Sequence, residues 1–247
     1  MSKIEECRAT LRGLADWEPY LLQESGLPGP RGNLELMQAV ADEGAAAQFH
    51  RWAALTPEEA PGDSPQGFLA CCGAVGLGRL AAEGDATVLP TLRRLANDPR
   101  WRLREAVAMA LQRLGDADME ALLAEMEHWS AGTLLERRAA AAALCEPRLL
   151  GKPAHVERVL GILHRITAAI PTFTGRKSPE FCALAKGLSY CWSVAVCALP
   201  EVGKGRFEVW LACTDPDVRR IMRENLKKNR LARMDAAWVA RCQAQLA

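Results

Sequence analysis

This sequence predicts an all-α fold of helix pairs stacked side by side as a solenoid, on three observations. The apolar residues, 49% of 247, are dominated by Ala and Leu with few β-branched side chains and two Tyr, which favours helix over strand. Residues 98–115, DPRWRLREAVAMALQRLG, start on Asp-Pro and place Leu103, Val107, Ala110, Leu111 and Leu114 on one side of a helix. The same pattern recurs along the chain, with helix pairs every 33 to 40 residues.

Residues 1–25 predict a short helix with Ile4, Leu11, Leu14, Trp17 and Leu21 on its apolar side, ended by the run GLPGPRGN. Asn33 is the expected cap of a helix through Leu34, Met37, Val40 and Ala41 that extends toward Phe49 and Trp52. A second loop, TPEEAPGDSPQG, follows. Residues 1–60 thus read as an N-terminal helical cap. Residues 67–247 read as repeats closed by a capping helix over 235–247, all in one continuous solenoid.

From Phe68 onward the segments can be overlaid. Leu69, Val75, Leu77 and Leu80 stand 34 places before Leu103, Met109, Leu111 and Leu114. A shift of 33 sets Arg137, Arg138, Ala139 and Leu144 under Arg104, Glu105, Ala106 and Leu111. Residues 215–226, DPDVRRIMRENL, open on Asp-Pro again and place Val218, Arg219 and Leu226 where Leu103, Arg104 and Leu111 stand. Amphipathic partner helices are expected at 87–96, 118–129, 155–170 and 206–213, each packed on the repeated helix beside it. A longer, more apolar helix is expected at 179–199.

Pairs at this spacing occur in several repeat families. The Trp-Leu-Gly and Thr-Pro-Leu-His signatures of tetratricopeptide and ankyrin units are missing. The Asp-Pro start, the hydrophobic-Arg step and the Ala-rich second helix ending in Leu resemble HEAT repeats over residues 67–229. That resemblance implies a right-handed α-α superhelix of antiparallel pairs, in which arginines such as Arg104, Arg137 and Arg219 make a ladder of salt bridges and carbonyl contacts.

In such a solenoid one helix of each pair lines a concave surface. The outward side of 98–115 carries Trp101, Glu105, Ala108 and Gln112, an aromatic ring one turn from a carboxylate. The place of Glu105 is held in other copies by Cys71, Arg138 and Arg220, and Arg220, Arg223 and Lys227 share one direction, so the concave side grades toward positive. Trp101 stands apart from Trp52, Trp129, Trp210 and Trp238, which read as core anchors. The expected binding surface is Trp101, Glu105, Gln112, Arg138, Trp192, Arg220, Arg223 and Lys227.

A narrower resemblance rests on four of these residues. Trp101, Glu105, Arg138 and Trp192 follow an order similar to that of the HEAT-like-repeat alkylpurine DNA glycosylases: a Trp and a carboxylate one turn apart, an Arg one repeat later, a further Trp beyond. The resemblance implies that Glu105 stabilises the cationic sugar as an alkylated base departs, with the aromatics on the lesion, Arg138 on phosphate, and no metal or cofactor. The family's usual carboxylate is Asp, where this chain has Glu.

Formal net charge is +1, but residues 1–100 hold nine Lys/Arg against fourteen Asp/Glu and the remainder holds twenty-two against sixteen. A basic C-terminal part would suit a polyanion such as duplex DNA. Nine Cys at irregular spacing, without Cys-x-x-Cys or a completing His, predict reduced thiols and no metal site; Cys72, Cys145, Cys191 and Cys197 sit among Ala and Leu as small apolar residues. GAVGLG lies inside a predicted helix, not in a phosphate loop. His128 and His164 read as surface or interhelix residues. With no apolar run long enough to span a bilayer and no signal-peptide centre in MSKIEECRAT, a cytoplasmic location without membrane contact is expected. Two functions follow: a non-catalytic module gripping a protein or peptide on its concave face, or a DNA-binding base-excision enzyme with Glu105 as its catalytic residue.

Overall fold

The computed structural model describes residues 2–246 and is all-helical, with no strand among those residues. The chain divides into two compact units, 1–118 and 119–247. The boundary expected at 60–67 lies inside the first.

The first unit holds α1 (Lys3–Arg12), α2 (Glu18–Glu24), α3 (Leu34–Glu43), α4 (Ala46–Ala53), α5 (Pro65–Ala82), α6 (Leu89–Leu95) and α7 (Trp101–Ala117). The single helix expected over 1–25 is two, broken after Arg12 where the N–H of Gly13 turns back onto the last carbonyls of α1. Asn33 caps α3, its Oδ1 accepting the N–H of Leu36 at 3.1 Å. That helix stops at Gly44, because extended backbone at Gly44 and Ala45 lets α4 fold back and press Phe49 against Gly44.

Helix α5 is the centre of this unit, and α2, α3, α4 and α7 all pack on it. It is buried nearly all round, so it shows no amphipathic stripe. The GAVGLG stretch does lie within this helix, and its glycines serve close approach. A methyl on Gly76 would stand 2.1 Å from the Phe49 ring, and one on Gly78 would stand 2.4 Å from Ala110 Cα. Helices α4 and α7 therefore approach α5 at backbone distance.

The loop leading to α5 is held from the other side by Arg100, the residue before α7. Its buried guanidinium bonds both carboxylate oxygens of Asp98 at 2.8 Å, and donates to the carbonyls of Thr56 (3.2 Å), Ala60 (3.0 Å) and Leu55 (3.0 Å). All five guanidinium N–H groups are thereby used. On the outer edge, Arg8 Nε and Arg12 Nη2 each meet Glu43 Oε1 at 2.6 Å, tying α1 to the end of α3. Hydrogen bonds from Arg12 and Arg8 pull the Glu43 carboxyl down to a pKa of about 2.

The second unit holds α8 (Met119–Trp129), α9 (Leu134–Leu144), α10 (Pro153–Ala168), α11 (Pro179–Ala198), α12 (Pro200–Glu208), α13 (Pro216–Leu226) and α14 (Asn229–Leu246), the last interrupted at Asp235. Helices α9, α11 and α13 lie side by side, and α8, α10 and α12 form a second row against them. Thr133 and Glu136 close a capping box at the start of α9. Asp215 caps α13 through the N–H groups of Asp217 and Val218. Burial alone would push the Asp215 carboxyl up; the bond from Arg176 at 2.6 Å and these N–H groups overcome it and hold it below the usual range. The partner helix expected at 206–213 instead runs from Pro200 to Glu208, because Leu199 leaves helical geometry (φ −143°, ψ 77°) and Pro200 is suited to a first turn.

Helix α11 is long and apolar enough to cross a membrane by length and composition alone, yet most of it is buried by α9, α10, α12 and α13. Buried Asn225 of α13 pins it: Nδ2 donates to the carbonyl of Leu188 at 2.9 Å, and Oδ1 accepts the N–H of Ser193 at 2.9 Å.

Arg100→Met is expected to lower stability by about 3–5 kcal/mol in urea unfolding, because it strands buried Asp98 and the loop carbonyls together. Arg100→Lys, with three donors for five roles, recovers little of that loss. For Glu43 the folded pKa lies below the unfolded one, so its contribution is present above about pH 4.5 and is lost as pH falls toward 2. The melting-temperature gap between wild type and Glu43→Gln is accordingly expected to be constant above pH 5 and to close by pH 2.

Candidate functional site

Helix α7 buries the side the periodicity assigns: Leu103, Val107, Ala110, Leu111 and Leu114 are all in the core. Trp101, first residue of the helix, is left 49% exposed. Its ring is not loose. The Arg102 guanidinium stacks over it with Cζ 4.3 Å from the ring centroid, and Arg102 is itself held by Asp63 (3.1 Å) and the carbonyl of Gly29 (2.7 Å). Arg102 thus ties the indole to the loops before α3 and after α4, and its own charge is neutralised by Asp63. Glu105 is exposed one turn further on, and Gln112 is half-buried two turns beyond that. In the first unit these three residues do share one helix face.

The second-unit members of the expected surface behave differently. Trp192 is 0% exposed, so it is not part of any binding face. Its Nε1 donates to Thr167 Oγ1 at 3.0 Å and its ring meets Phe207 edge-on at 6.1 Å. An indole this large on central α11, with its one donor satisfied, is a core anchor. Arg138 is 8% exposed and lies along Gly187 of α11, where a methyl would stand 3.6 Å from its Cγ, so it too is absent from the outer face. Arg138 was placed outward by its register under Glu105, but α9 packs that side on α11; Trp192 was placed by order along the chain, and it lies on the side of α11 that its neighbours bury.

Arg220, Arg223 and Lys227 are exposed on α13 as expected. Their charges are spent locally: Arg220 on Asp217 at 2.7 Å, Lys227 on Glu224, and Arg223 through two N–H groups on the carbonyl of Leu246. The expected carbonyl contacts of Arg104, Arg137 and Arg219 are present. Arg104 reaches back to the carbonyls of Asp98 and Pro99, and Arg137 to those of Ala131 and Gly132, the same five- and six-residue step at the same place in two helices. Arg219 instead donates to Leu246.

Trp52, Trp129, Trp210 and Trp238 are buried, and three of them give their indole N–H to a carboxylate: Glu18, Glu125 and Glu208. Trp210 instead stacks on His164 at 4.8 Å, and its Nε1 and His164 Nδ1 are buried without partners among the described residues. His128 is at the surface. All nine cysteines are free and six are buried. Burial raises the Cys71 thiol to about 12 and the Cys242 thiol to about 11, and lifts Cys72 and Cys145 well above the ordinary thiol range, so these four are not poised as thiolate nucleophiles. Among the described residues no group of His, Cys, Asp and Glu is gathered that could hold a metal ion.

One aromatic was missed by the sequence reading. Tyr190 on α11 is 45% exposed, with Arg230 and Lys228 against its ring. The available signal was the run KKNR at 227–230, three cations within four residues. No protein-family model, curated protein or solved structure matches this chain.

Proposed function

We propose that this protein is a helical-repeat binding module of HEAT type, a right-handed superhelix of antiparallel pairs, whose α7 face takes a protein or peptide partner. The observation that carries the reading is the half-exposed Trp101, held in place by Arg102 on a helix whose apolar side is already filled. Interface anchors of this kind are large, rigid and amphipathic, and lose little freedom on binding. The two rows of helices in the second unit, and the identical back-bonding of Arg104 and Arg137, support the paired-helix repeat.

The base-excision alternative keeps Trp101 and Glu105, both exposed one turn apart on α7, and loses its other two members to burial. For this reason the binding reading is preferred.

A photo-crosslinking amino acid at exposed position 105, one turn from Trp101, with exposed Glu157 as the control site, is expected to capture one discrete partner. Trp101→Ala is then expected to weaken that partner's affinity by about thirtyfold or more without moving the melting temperature. Equal affinity for the Trp101→Ala variant would refute the proposed face. With an alkylated duplex no free base is expected; base release abolished by Glu105→Gln would establish the enzyme instead.

A further inference from the structure

Among the described residues, the two half-exposed aromatics, Trp101 and Tyr190, sit in opposite electrostatic settings. Arg102 beside Trp101 is 13% exposed along its side chain and neutralised by Asp63. Tyr190 carries two cations. Arg230 Cζ lies 4.6 Å from its ring centroid with an N–H donating to the phenol oxygen, and Lys228 Nζ lies 6.0 Å from the centroid. Neither Lys228 nor Arg230 has a carboxylate within ion-pair distance among the described residues, whereas their neighbour Lys227 is paired with Glu224. Lys186, one turn before Tyr190 on α11, is exposed and likewise has no such carboxylate.

The arrangement is built rather than casual. Asn225, wholly buried, grips the α11 backbone on both sides of Tyr190, at the carbonyl of Leu188 and the N–H of Ser193. The chain leaves α13 immediately afterwards, so Lys228 and Arg230 follow Asn225 by three and five residues. One buried amide therefore sets the register between the ring and its cations. With Arg230 over part of the ring, the 45% of Tyr190 that stays exposed offers surface for a base. Glu224, paired with Lys227, offsets part of the Lys228 charge. Arg230 and Lys228, without ion-pair contacts of their own among the described residues, offer charge for the adjoining phosphates, which every nucleotide supplies whatever its sequence. A duplex keeps its bases stacked and paired and has no free base face to give.

We propose that Tyr190, Lys228 and Arg230 form a binding site for single-stranded nucleic acid, a base stacking on the Tyr190 ring and the backbone phosphates meeting Lys228 and Arg230. The site belongs to the second unit and rests on none of the observations at Trp101.

The test is fluorescence anisotropy of the full chain with a short labelled oligothymidylate, the matching duplex, and heparin as competitor, at several salt concentrations. The single strand is expected to bind better than the duplex. Tyr190→Ala is expected to weaken it by about tenfold and Tyr190→Phe to retain most of the affinity. Lys228→Ala with Arg230→Ala is expected to lower the slope of log affinity against log salt by about 1.4, two phosphates' worth for a single strand. All three positions are at least partly exposed, and unchanged melting temperatures report intact folding. No single-strand binding, equal binding of duplex, or binding indifferent to Tyr190→Ala overturns the proposal; loss of the Trp101 partner on Trp101→Ala leaves it standing.

Discussion

A chain that turns sharply into a helix leaves carbonyls without helical partners, and those shielded from water must find a donor. In both units an arginine does this work at an Asp-Pro corner. Arg100 collects Asp98 and three carbonyls of the loop before α5. Arg176 binds Asp215 and Asp217 while donating to the carbonyls of Pro171 and Phe173. A planar fork with five fixed donors can serve two carboxylate oxygens and several carbonyls at once, which a lysine cannot. The helices that follow, α7 and α13, start where these corners put them, and everything displayed on their outer sides inherits that placement.

Around these corners the cores are built by different means. Helix α5 lets its neighbours approach through Gly73 and Gly78, where backbone meets backbone, and through Gly76, which seats the Phe49 ring. Helix α11 keeps large side chains, Phe181, Leu188 and Trp192, and satisfies the polar atoms among them with Thr167 and Asn225. In each case most of the central helix is covered, and the surface chemistry falls to the few residues it leaves exposed, such as Tyr190, and to adjoining helices. Most arginines of the chain are consumed by carbonyls or carboxylates close at hand, so charge composition overstates the number of cations available to a ligand.

How much was legible depended on the kind of signal. The repeated helices, the Asn33 cap, the buried stripe of α7 and the helical setting of GAVGLG follow from local periodicity and short-range capping. The breaks at Gly13 and Gly44 were not read, because both helices keep their apolar spacing across the interruption. Trp192 and Arg138 were misassigned for a related reason: both lie on sides of α11 and α9 that pack against other helices, and register with neighbouring copies does not record which side a neighbour covers.

The sequence by itself determined that the protein is helical, where most helices lie, and that Trp101 stands opposite a filled apolar face, since a 3.6-residue period ties each side chain to one side of its own helix. Which charges are neutralised was decided only by tertiary structure. Arg102 meets Asp63, Arg176 meets Asp215, and Tyr190 meets Arg230 across roughly forty residues of chain. Long side chains pair through space with whatever packing brings near, and no spacing along the sequence records that distance.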